Sequence, residues 1–121
     1  MIHSDIQIHP TKYYVYALVN PINGDIAYVG QSCMPAYRYK QHLADRKLIE
    51  FAEWWRDIIE AGETVVMWIL AECETEREAR HTERQAMRAV SRSGHKLFNV
   101  TGTARRPAKE KIRIIEPKIY A

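Results

Sequence analysis

Apolar positions along this chain keep two rhythms. Over residues 13–19 and 26–31 they form short runs rich in Tyr, Val, Ile and Ala, separated by Asn20-Pro21-Ile22-Asn23-Gly24. An Asn-Gly pair between such runs is a strong hairpin signal, so the runs read as two antiparallel strands. Side chains alternate faces along a strand, and loop length therefore decides which residues look the same way. A two-residue turn centred on Asn23-Gly24 pairs Val19 with Tyr28 and sets Tyr16 and Tyr28 on opposite faces. A longer loop or a bulge pairs Leu18 with Tyr28 and sets both phenols on one face. A third run, residues 64–71, is β-branched and almost continuously apolar, and reads as the central or third strand, buried on both faces.

The other rhythm is helical. Pro35 suits a first helical position after Ser32-Cys33-Met34, and a helix over 35–47 sets Arg38, His42 and Asp45 on one stripe with Tyr39 and Leu43 turned toward the sheet. A second helix over 49–61 carries Phe51, Trp54, Trp55 and Ile58 at helical spacing, closed by Gly62; its Trp pair reads as core. Thr75 caps a third helix, with Glu78 completing a capping box. At about 100° per residue, Ala79, Ala86, Met87 and Val90 share a stripe with Glu83 in its middle, and Arg80, Arg84, Arg88 and Arg92 line the adjacent face. Ser93-Gly94 ends that helix, and residues 97–100 cross back toward the sheet. The pattern predicts one α/β (α+β) domain over residues 13–102: a small, mainly antiparallel three-stranded sheet flanked by helices. Residues 1–12 form a lead, and 103–121 a basic tail in which Lys111-Ile112-Arg113-Ile114 alternates like an exposed strand before Pro117.

Composition narrows the setting. The 121 residues, 46% hydrophobic, support one modest core. No apolar run reaches the roughly eighteen residues of a membrane span, and the N-terminus lacks the charged start and apolar centre of a signal peptide, so a soluble, cytoplasmic protein is expected. Cys33 and Cys73 make no C-x-x-C pair, which points to free thiols in a reducing compartment. The formal charge of +3 hides an asymmetry: residues 103–121 hold six cations against Glu110 and Glu116, whereas residues 49–63 hold five carboxylates against Arg56. One side is built for anions.

Candidate chemistry sits on these elements. Glu83 on an apolar stripe needs either an arginine or a cation as partner. His42, one helical turn from Arg38, is a group for proton handling or phosphate binding if that face meets the phenols. Tyr16 and Tyr28 taken alone are ordinary strand aromatics, and the arginine row taken alone is a solvated face.

Together these residues carry a resemblance. Val15-Tyr16, Tyr28-Val29-Gly30, Arg38 eight residues past that glycine, His42 one turn later, Glu83, and Phe98-Asn99-Val100 resemble the GIY-YIG nuclease family in order and spacing. The match runs over about residues 13–101. Tyr14 stands where the name-giving glycine would be, and Gln31 where family members often carry lysine. The resemblance implies that both phenols face one site, so the longer hairpin loop is expected. It also implies metal-dependent endonuclease chemistry on DNA phosphodiesters. Glu83 would hold one Mg²⁺ or Mn²⁺ ion, and Tyr16, with Tyr28 as the competing candidate, would orient or deprotonate the attacking water. Arg38 would stabilise developing charge, His42 would relay a proton or bind phosphate, and Asn99 would support the site indirectly. Gln31, Lys40, Arg84, Arg88, Arg105 and Arg106 are the candidate DNA contacts, and a homodimer or a recognition partner is the candidate source of specificity. A catalytically inactive DNA-binding or regulatory module on the same fold is the alternative.

Overall fold

In a computed structural model of the chain, residues 7–45 and 47–99 are described, together with the backbone of 118–120. The order is β1 (Tyr13–Val19), β2 (Ile26–Ser32), α1 (Pro35–Ala44), α2 (Ile49–Glu60), β3 (Val66–Cys73), α3 (Glu76–Arg92) and a short β4 (Lys118–Tyr120). The expected antiparallel sheet is present in the order β2-β1-β3, and β4 extends it beyond β3. The strand expected over 111–114 lies outside the described residues; β4 begins just after Pro117.

Hairpin geometry follows the longer loop. Leu18 pairs with Tyr28, Val19 with Ile26, and the register shifts between them at a bulge. The loop closes because Asn20 N–H donates to Asp25 O at 2.9 Å and Gly24 N–H donates to Asn20 O at 2.8 Å. Gly24 adopts φ +80°, which only glycine takes without steric cost.

β1 is the spine of the molecule. Its alternate residues Tyr14, Tyr16 and Leu18 pack on one side with Tyr39 of α1 and Phe51, Trp55 and Ile58 of α2, while Val15, Ala17 and Val19 pack on the other with Ala79, Ala86, Met87 and Val90 of α3. Complete burial of a side chain such as Leu18 stabilises the fold by about 1.5–3 kcal/mol. Three helices thus sandwich one sheet.

Some sequence expectations need correcting. The strand buried on both faces is β1, not β3: on β3, Met67 and Ile69 are buried but Trp68 and Leu70 only half so, because they pack at the margin of the α3-side cluster rather than within it. α1 stops at Ala44 rather than running to Lys47, as Asp45 turns to extended backbone and its side chain accepts the Lys47 N–H at 2.8 Å. Leu43, expected against the sheet, is 41% exposed, since Pro35, Tyr39 and His42 form the buried stripe of α1 and the imidazole takes the inner place. Thr75 accepts the Glu78 N–H at 3.1 Å as expected, but the Glu78 carboxylate accepts from Glu74 N–H instead of closing a reciprocal box with Thr75.

Candidate active site

The register that pairs Tyr16 with Gly30 and Leu18 with Tyr28 puts both phenols on the α1/α2 face of the sheet. Their rings stack at 6.2 Å between centroids, 13° from parallel. Gly30 makes this possible. A Cβ there would lie 2.6 Å from Tyr16 Oη and 2.9 Å from Tyr28 Cε1, so a side chain would displace the phenol it faces. A second bulge, between Val15 and Tyr16 in the pairing with β3, adjusts the aim of Tyr16 itself. Tyr14, one alternation earlier, is tied elsewhere: its hydroxyl accepts His9 N–H at 2.8 Å and donates to Glu72 at 3.1 Å.

α1 brings the guanidinium and imidazole over these rings. Pro35 starts the helix without losing a needed N–H donor, and its first turns carry Arg38 and His42 to the phenols. Tyr16 Oη and His42 Nε2 are 2.7 Å apart, and the His42 ring meets the Tyr28 ring edge-on at 4.4 Å. His42 is 5% exposed; burial, helped by the Arg38 charge, lowers its pKa to about 4. Burial pushes the Tyr16 and Tyr28 phenols upward, and Arg38 beside them works the other way. At neutral pH the Tyr16–His42 pair is therefore neutral. In the tautomer with Nδ1–H, Tyr16 donates to Nε2 and the imidazole is poised to receive its proton. Burial works against the Arg38 charge, yet the two phenols hold its pKa above the ordinary value. Gln41 Oε1 accepts from Arg38 Nη1 at 2.9 Å and fixes the fork.

Glu83 belongs to the other layer, on α3 across the sheet from the phenols. It lies half-buried on the packed stripe of α3, as the periodicity requires. Burial raises its pKa despite Arg80 and Arg84, and its charge is felt at both phenols. Among the described residues it has no ion-pair partner; Arg80 pairs with Glu76 instead.

The segment after α3 then seals the outer edge of β2. Ile26 N–H donates to His95 Nδ1 at 3.0 Å, Phe98 N–H to Ala27 O at 2.9 Å, and Asn99 Nδ2–H to Val29 O at 2.7 Å. Asn99 thereby holds the strand that carries Tyr28 and Gly30, and its buried Oδ1 has no partner among the described residues. His95 was not legible from the sequence, because no ligand spacing or periodicity marks a ring that accepts one backbone N–H across the fold.

Of the candidate DNA contacts, Gln31 lies half-buried on β2 just past Gly30, and Lys40, Arg84 and Arg88 are exposed on α1 and α3. Arg105 and Arg106 lie outside the described residues. Cys33 is half-buried and Cys73 buried, both free thiols. No helix among the described residues is long and apolar enough to cross a membrane.

The sequence model of the GIY-YIG catalytic domain matches residues 12–99. The chain belongs to the GIY-YIG family. Comparison with curated proteins and with solved structures returns no match. Members of this family are generally endonucleases that use divalent metal ions, and the fold described above is consistent with that membership. The donor set fits such an ion sparingly. No group of three His, Cys, Asp or Glu gathers among the described residues, but a desolvated carboxylate without an ion-pair partner is a hard oxygen donor, and Mg²⁺ accepts one such donor with waters and phosphate oxygens.

Proposed function

We propose that this protein is a metal-dependent endonuclease that hydrolyses DNA phosphodiester bonds. The observation that carries the reading is the convergence of Tyr16, Tyr28, Arg38 and His42 on one face of the sheet, with Glu83 half-buried in the opposite helical layer. Glu83 would hold one Mg²⁺ or Mn²⁺ ion. Such an ion, when bound, neutralises phosphate charge and assists the leaving oxygen.

The chain's own groups divide the remaining work. Tyr16 is 0% exposed and already bonded to His42, whereas Tyr28 is partly open, so Tyr28 is the phenol that meets the attacking water. It orients that water and takes its proton only where nearby positive charge, Arg38 first, stabilises the phenolate. Arg38 also donates to the oxygens on which charge develops at phosphorus. Tyr16 and His42 form the buried pair behind them, a place to pass a proton without admitting solvent.

A plasmid-nicking assay in Mg²⁺ tests the reading. The wild type nicks supercoiled DNA, EDTA abolishes nicking, and Glu83→Ala is slower by more than about 100-fold, since even residues that merely support a metal ligand cost ~10–100-fold when removed. Equal rates for the variant and wild type would remove Glu83 from the mechanism. The substitution of the family's first glycine by Tyr14 gives weight to one second reading, a DNA-binding module without catalysis. Absence of cleavage with every divalent ion tried, alongside intact DNA binding, selects it.

A further inference from the structure

Beside the cluster runs an open groove of about 700 Å³, lined by Arg38, Gln41, His42, Ala44, Asp45 and Lys47. Arg38 and His42 belong to the catalytic face, so whatever fills the groove is continuous with the reacting phosphate. Lys47 has no part in the chemistry above, and Gln41 enters it only by holding Arg38.

The lining is built for an anion. It offers a guanidinium, an ammonium, an amide and a neutral imidazole against one carboxylate, that of Asp45, whose Oδ1 accepts the Lys47 N–H at 2.8 Å. This bond folds the chain back as it leaves α1 and sets Lys47 at the groove. Gln41 fixes the Arg38 guanidinium at the boundary between groove and cluster, where its planar fork has donors for both sides. The space is much larger than one phosphate group needs and is of nucleotide size. A DNA strand supplies a second phosphodiester next to any scissile one.

We propose that the groove binds the phosphodiester adjacent to the scissile phosphate, with Lys47 as its cation and Arg38, steered by Gln41, between the two phosphates. The proposal rests on the nuclease reading for the identity of the first phosphate.

The test is DNA binding by the full chain, read as fluorescence anisotropy of a labelled duplex over a KCl series, with Ca²⁺ in place of Mg²⁺ to prevent cleavage. Lys47→Ala weakens binding about tenfold at low salt and flattens the slope of log affinity against log salt by about 0.9, the signature of one lost phosphate contact. Lys47→Arg restores both. Arg56→Ala, on the acidic outer side of α2, changes neither. An unchanged slope in Lys47→Ala, an equal flattening in Arg56→Ala, or failure of the wild type to bind the duplex overturns the proposal. The nuclease reading fails separately: a chain that shows the Lys47 signature but never nicks plasmid keeps the groove and loses the catalyst. A chain that nicks with an unchanged Lys47→Ala slope does the reverse.

Discussion

His42 illustrates how a residue's chemistry is set by where its helix points it. Spacing from Pro35 placed Arg38 and His42 one turn apart, but it did not show that the imidazole, rather than Leu43, would take the inward position and bond Tyr16. The hydrogen bond and the ring contacts decide that, and they involve strands that local periodicity cannot see. A consequence for pH follows. The folded pKa of about 4 lies below the ordinary 6.5, so as acid is added the unfolded chain takes up this proton first. Stability contributed at this position is full above about pH 6.5 and is lost as pH falls toward 4. His42→Gln removes that loss, so urea midpoints of wild type and variant should diverge at neutral pH by an amount that shrinks or changes sign near pH 4.5, roughly where most of the loss is complete. Parallel pH profiles for the two proteins would show that His42 is not held neutral by the fold.

At the level of elements, the hairpin was the most legible part. Strand parity left two registers open, the family resemblance favoured Leu18 opposite Tyr28, and that register is found. Less legible was which strand is central. The apolar run of β3 looks fully buried in sequence, yet topology gives that place to β1, a matter of which strands are neighbours rather than of composition. The edge of β2 was hidden too, since its three closing bonds come from residues 95–99. Because β2 carries Tyr28 and leaves the space at Gly30, small changes there propagate into chemistry. Gly30→Ala forces the Tyr16 hydroxyl to move, costing about 1–3 kcal/mol of stability as overpacking does, and it breaks the Tyr16–His42 bond, so nicking falls along with the melting temperature. Retention of wild-type activity and stability would mean the phenol relaxes without cost.

On the scale of the whole molecule, charge is sorted by layer. α3 turns Arg84 and Arg88 to solvent, and α2 turns Glu50, Glu53, Asp57 and Glu60. Residues 103–121 carry six cations against two carboxylates, so their removal leaves a chain of formal charge −1. The truncated protein is expected to bind DNA more weakly and with a shallower salt dependence, measured by the same anisotropy series. Unaltered affinity would take the tail out of DNA binding, and a changed mass in solution would assign it to assembly instead.

The split of the site between two helical layers has an effect on the order in which its parts can come together. The phenols, guanidinium and imidazole all lie within the first 42 residues, but the acid waits at position 83 and the edge-sealing asparagine at 99. A chain that folds from its N-terminal side therefore gathers the rings and the guanidinium before the acid is in place. The proposed site is complete only when the last large helix docks.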